Sequence, residues 1–179
     1  MAENGTRHCD VLVVGSGAGG LATAIVARKA GLEVLVVEKE PVFGGTTAYS
    51  GGILWIPGNH LAKARGIEDS REAARTYMRG EAGNHFDEAR VEAFLENGPR
   101  MLEFFERETE VKFALADYPD YHPDRNGGVA IGRSVSALPY DARRLGPEMR
   151  RLRKPLETIT FLGMMFNSAI ADFIAIEGS

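Results

Sequence analysis

The sequence predicts an α/β chain, with a Rossmann-like β-α-β unit over residues 1–59 and a mainly helical continuation over 60–179. Three observations carry this. The apolar run Val11-Leu12-Val13-Val14 breaks abruptly into Gly15-Ser16-Gly17-Ala18-Gly19-Gly20. A helix-forming stretch, Leu21 to Ala30, follows at once. A second apolar run, Glu33 to Val37, then ends on an acid, Glu38. Strand, glycine turn, helix, strand, acid is the order of a nucleotide-binding crossover.

Taken in chain order, the first strand is expected over Asp10 to Val14, the first helix over Gly19 to Ala30, and the second strand over Glu33 to Val37. Gly31 stands where a helix commonly stops. The glycine-rich stretch Phe43-Gly44-Gly45-Thr46-Thr47-Ala48-Tyr49-Ser50-Gly51-Gly52 follows and leads into an extended Ile53 to Ile56. After Asn59 the pattern turns helical. Asp69 or Ser70 caps a helix through about Arg79, and Phe86, Ala89, Ala93 and Phe94 fall at helical spacing. Pro99 is read as opening a further helix that runs to about Glu108. Short strands are expected at Val111 to Leu115 and Val129 to Ile131, separated by a loop rich in Pro, Asp and Gly. From Leu145 onward the chain reads as helical in pieces, broken at Pro147 and Pro155. Two parallel strands alone leave both outer edges unpaired.

Each glycine of the first turn has a physical task. Gly15 permits the tight exit from the strand, Gly17 lets backbone approach a pyrophosphate, and Gly20 lets the helix pack close to the sheet. The helix N-terminus offers free N–H groups and partial positive charge to phosphates. Glu38 accepts hydrogen bonds from ribose hydroxyls; the bland alternative is a simple turn with Glu38 as a solvated strand end. The second glycine loop separates flavin from nicotinamide binding. Its glycines let backbone lie against a large planar ligand, while Thr46, Thr47 and Ser50 supply hydroxyls.

Composition sets outer bounds. In 179 residues with 44% hydrophobic and 26% charged side chains, an ordinary globular chain is expected. A formal net charge of −4 gives no general attraction to nucleic acid or anionic membrane. The basic run from Arg143 to Lys154 lacks interleaved aromatics and reads as a solvated face. Cys9 is the only cysteine, so no intrachain disulfide or cysteine metal cluster forms. His8, His60, His85 and His122 are not spaced as metal ligands. Met1 to His8 has no apolar signal core, and polar residues interrupt the apolar stretch Ile159 to Ile176 before it reaches a membrane span. A cytoplasmic location is the expectation.

At these residues a resemblance enters. Val13 through Gly20 and Phe43 through Gly52 look like the flavoproteins of the fumarate reductase and succinate dehydrogenase superfamily. Leu54-Trp55-Ile56-Pro57 and Pro119-Asp120-Tyr121 resemble its 3-ketosteroid dehydrogenase branch. The resemblance covers about residues 9 to 167 and matches the N-terminal portion of that family. It implies FAD, with Gly15, Gly17 and Gly20 at the pyrophosphate, Glu38 at the adenosine ribose, and Ala18, Gly19 and Lys39 as further cofactor-binding residues. Gly44, Gly45, Thr46, Thr47, Ser50, Gly51 and Gly52 would line the phosphate and isoalloxazine side. Covalently flavinylated relatives carry a histidine where this chain has Gly45, so noncovalent FAD is expected.

The family's chemistry removes hydrogens from adjacent carbons beside a ketone. A base takes the acidified proton, an electrophilic site stabilises the enolate, and flavin N5 accepts the hydride. Tyr121 is the residue the resemblance suggests for a share in catalysis, with Tyr118 as its competitor. The expected partner is a steroid-like or cyclic-ketone substrate, with neither nucleic acid nor metal. Family members add a substrate domain and a late flavin-closing segment, so the rest of the same protein is a further expected partner. This portion alone reads as too short to be active. Two other readings stand beside it: a fumarate-reductase-like reductase of an unsaturated acid, and a non-catalytic remnant acting as an interaction module.

Overall fold

A computed structural model describes residues 6–161 and 164–165. They separate into two units, one built from the chain up to Gly51 and again from Asp141, the other from Gly52–Tyr140.

In the first unit, β1 (Val11–Val14) and β2 (Val34–Val37) pair in parallel, from Val11 opposite Val34 to Val14 opposite Val37. Valine suits this pairing because its branched side chain fills a pleated surface. Val13 points into the core, whereas Leu12 and Val14 stay exposed. Between the strands runs α1 (Ala18–Lys29), with no acid in its first turn and Arg28 and Lys29 in its last. Past the C-cap Ala30, Gly31 takes φ +87° and donates its amide to Arg28 O at 3.0 Å. The second glycine loop coils into a 3-10 turn over Gly45–Tyr49.

The return segment differs from the helical pieces expected after Leu145. It makes 3-10 turns over Ala142–Arg151, broken at Gly146, whose φ of +55° and ψ of −131° no helix accepts. Leu152 then bridges to Phe43. Further on, Thr160–Phe161 pairs antiparallel with Met164–Met165. Most of the apolar stretch Ile159 to Ile176 lies outside the described residues. Among those described, no helix is long and apolar enough to cross a membrane.

The second unit is a three-stranded antiparallel sheet with helices against it. Its order is β3 (Ile53–Trp55), β5 (Ser134–Ala137), β4 (Phe113–Leu115), with β5 in the centre. Ile56, Leu102 and Val135 form its main core. Asn59 joins the layers: its carbonyl oxygen caps α2 (His60–Ala64) through the Ala62 amide, and its amide group donates to Ile56 O and Gly132 O. Ser70 caps α3 (Arg71–Ala82), and Asp87 caps α4 (Glu88–Glu108).

Two expectations fail here for definable reasons. Pro99 does not open a helix; it lies inside α4. Val91, Leu95, Gly98, Leu102 and Phe105 form one buried stripe that runs unbroken past it. Burial of that stripe outweighs the backbone bond that proline cannot make. Val129 to Ile131 is not a strand either, because the central strand begins at Ser134. The pattern Ser134-Val135-Ser136-Ala137 hides it, since its serines are buried too.

Candidate functional site

The first unit gathers the glycine turn and the second glycine loop around one serine. Ser16 is buried, donates its amide to Glu38 Oε2 at 2.9 Å and its hydroxyl to the same oxygen at 2.5 Å. That hydroxyl also accepts the amide of Gly44 at 3.1 Å. Glu38 Oε1 accepts the amide of Glu40 at 3.1 Å. The Ser16 hydroxyl foremost, then the amides of Glu40 and Ser16, hold the Glu38 carboxyl down from the ordinary 4.5 to about 2. The acid at the end of β2 is therefore a carboxylate with its orientation fixed and lone pairs to spare.

The glycines sort by what a side chain would meet. A Cβ on Gly20 would lie 2.1 Å from the carbonyl oxygen of Gly15, so the fold itself demands glycine there. Gly17 is different. Its φ of −69° and ψ of 177° suit any residue, and a Cβ would meet only the Thr47 hydroxyl, at 3.6 Å. No other described residue fills that space, as a cradle for a close-lying phosphate requires. At the same helix end Gly17 caps α1 without a side chain, and Thr47 Oγ1 accepts the Ala18 amide at 3.0 Å. A hydroxyl acceptor there marks where phosphate oxygens would be received. Gly45 sits against Gly17, a Cβ on it being 3.1 Å from the Gly17 Cα.

Lys39, Thr46, Ser50 and Gly51 lie exposed along the same stretches, as does Gly19. Gly52 falls in the second unit, where its carbonyl accepts the Ala137 amide at 3.0 Å. The sequence reading missed what anchors the second glycine loop. Phe43 donates its amide to Arg151 O and accepts that of Arg153, both at 2.8 Å, and the Arg153 guanidinium donates to the Tyr49 hydroxyl at 3.0 Å. No motif marks these contacts across a hundred residues.

The second unit carries a cleft of about 800 Å³, mostly apolar, with Trp55, Tyr77, Met78, Tyr118 and Tyr121 in its wall. Trp55 stacks on Phe94 with ring planes 6° apart, and its indole N–H donates to Asp120 Oδ1 at 2.7 Å. Both candidate tyrosines thus reach one cleft, Tyr118 half exposed and Tyr121 at 96% exposure. His60 pairs with Glu106 at 2.6 Å. Among the described residues no group of His, Cys, Asp and Glu is arranged to hold a metal.

A glycine turn at a helix start, an oriented acid and a folded-over second glycine loop define a flavin-binding domain. The model of the FAD binding domain family matches residues 10–169, and the chain belongs to that family, whose cofactor is FAD. It is 47% identical over 147 residues to a 3-oxosteroid 1-dehydrogenase of Mycobacterium tuberculosis, covering 82% of this chain and 26% of that relative. It is 43% identical over 166 residues to 4-oxocyclohex-2-ene-1-carboxylate 5-dehydrogenase of Sinomonas cyclohexanicum, covering 92% and 28%. The crystal structure of 3-ketosteroid delta1-dehydrogenase from Sterolibacterium denitrificans superposes with a TM-score of 0.84 at 37% identity, covering 92% of this chain and 30% of that one. The chain thus spans between a quarter and a third of the length of these proteins, and corresponds to their FAD-binding portion.

Proposed function

We propose that this chain is the FAD-binding portion of a dehydrogenase that introduces a double bond beside the ketone of a steroid or similar cyclic ketone. The observation that carries the reading is the aromatic cleft with Tyr118 and Tyr121 in its wall, in a chain whose other unit is an FAD cradle. The names of the steroid and oxocyclohexene relatives have a cyclic ketone in common, which supports that feature of the substrate.

The residues divide the work as follows. Gly17 and the N-terminus of α1 receive the pyrophosphate, and Glu38 takes the ribose hydroxyls with its free lone pairs. Gly45 carries no side chain that could tether a flavin, and a Cβ there would crowd the Gly17 Cα at 3.1 Å, which supports a flavin held without a covalent bond. Trp55, Tyr77 and Tyr118 present apolar faces suited to a flat ring system. The ketone acidifies the neighbouring C–H, and Tyr121 is the residue we assign a share in removing that proton. The bound flavin supplies the acceptor for the hydride leaving the adjacent carbon.

Trp55 is the chain's one tryptophan, so its emission reports on the cleft directly. Titration with 4-androstene-3,17-dione is expected to quench it saturably. No saturable change up to the solubility of the steroid rejects the substrate class.

A further inference from the structure

Tyr121, on the reading just given, acts from a loop and stands almost wholly in solvent, where a phenol is free to visit several rotamers. The residue before it is the opposite case. The Asp120 side chain is 1% exposed. Its Oδ1 accepts the Trp55 indole at 2.7 Å, and its Oδ2 accepts the Val129 amide at 3.1 Å and Arg133 at 2.8 Å. Its own amide donates to Val129 O at 3.0 Å.

Arg133 is equally buried, at 1% exposure, and is gripped from its other side by Asp69 through two bonds, of 3.0 and 2.7 Å. Asp69 in turn accepts the Gly58 amide at 3.1 Å. The guanidinium lies 5.4 Å from the Trp55 ring centre and 5.7 Å from that of Tyr77. Two aspartates from distant loops, one arginine and two cleft aromatics thus form a single closed assembly.

Such an assembly is weak evidence for stability. Desolvating three charges offsets most of their attraction, and well-packed apolar side chains hold a core together as firmly. A bidentate arginine provides direction instead, because its planar fork fixes both carboxylates in position and angle. We propose that Arg133 is a positioning residue: held by Asp69, it fixes Asp120 and so sets where Tyr121 projects at the cleft. With the Asp120 amide and carboxylate both tied, the next peptide starts from a fixed point, and every rotamer of Tyr121 departs from the same place at the cleft.

A double-mutant cycle on the full chain tests this, with the affinity for 4-androstene-3,17-dione read from Trp55 emission. Tyr121→Ala and Arg133→Lys are each expected to weaken binding about tenfold, and the double variant no more than Tyr121→Ala alone. Leu102→Ala, in the core of the same unit, lowers the unfolding temperature and leaves affinity unchanged below it. Equal losses from Arg133→Lys in both backgrounds overturn the positioning role. Unchanged binding in Tyr121→Ala sinks the reading of Tyr121 instead, so the two failures are distinct.

Hydrogen exchange without ligand decides the matter independently of the steroid. The amides of Asp120 and Val129 are expected to exchange at least about tenfold faster in Arg133→Lys, with the α4 amides unmoved. Asp69→Asn, which reaches Asp120 only through Arg133, is expected to repeat the pattern and serves if the lysine variant does not fold. Uniform acceleration over the whole unit, or none at the two amides, overturns the proposal.

Discussion

Ser16 gives both its amide and its hydroxyl to one oxygen of Glu38, at 2.9 and 2.5 Å. The start of the glycine turn is thereby locked to the acid at the end of the second strand. This lock has a pH signature. Glu38 titrates near 2 in the folded chain against an ordinary 4.5. A depressed carboxylate contributes stability that is whole above the unfolded value and disappears as pH falls through the folded one. The thermal stability of the first unit is therefore expected to fall as pH drops from about 4.5 to 2. Glu38→Gln should remove that part of the slope. A variant whose pH dependence matches the parent's throughout this window contradicts the assignment.

Ser16→Ala tests the same hub from the other side. The variant loses the largest influence holding the Glu38 carboxyl down, and Gly44 keeps only its longer bond, to the Ser16 carbonyl at 3.2 Å. A loss of about 1 kcal/mol in stability is expected, typical of one intramolecular hydrogen bond. The Glu38 carboxyl should titrate at higher pH, as followed by carbon NMR of labelled glutamate. FAD affinity should fall as well, since the acid proposed to meet the ribose loses its orientation. An unmoved carboxyl titration counts against the hub.

Gly20 and Gly17 separate what the fold needs from what the ligand needs. Gly20→Ala places a methyl 2.1 Å from the Gly15 carbonyl, and the helix must move off the strand. Destabilisation of about 1–3 kcal/mol or more is expected, in the range of overpacked cores. Gly17→Ala fits the chain as it stands, so its unfolding temperature should stay near the parent's. Its methyl occupies the space proposed for phosphate, and FAD affinity measured by flavin fluorescence should drop; Gly17→Val should abolish it. Unchanged flavin affinity in both Gly17 variants means the pyrophosphate lies elsewhere.

The sequence made the first unit legible because its signals are local. Gly15 through Gly20 form turn and helix start within one stretch, and β1 and β2 are continuous apolar runs. Ser16 was invisible within that same motif, since its partners Glu38 and Gly44 are more than twenty residues away. The second unit was less legible for the same reason. β5 is buried through serines, which show no apolar pattern, and α4 passes a proline that local rules treat as a boundary. In the sequence Trp55 and Asp120 belong to separate short resemblances. Only the fold shows them bonded, with Arg133, which no motif singles out, tying Asp120 to Asp69.

The cleft also makes a prediction about charge. Among the described residues its wall includes two carboxylates, Glu81 and Asp120, and no cationic side chain. The nearby cations are already engaged. Arg125 donates to Glu81 at 3.0 Å, and Arg133 lies between Asp69 and Asp120. With two acids against one guanidinium, the assembly behind the wall leaves one negative charge uncompensated. A ring ketone that carries its own carboxylate therefore gains no ion pair and meets like charge at low dielectric. Titrations followed by Trp55 emission are expected to show 4-oxocyclohexanecarboxylate binding more weakly than its neutral methyl ester, by at least about tenfold at low salt. Added salt should narrow the gap by screening the repulsion. The free acid binding as well as the ester, or better, shows that a cation reaches the cleft and that the wall does not select for neutral rings.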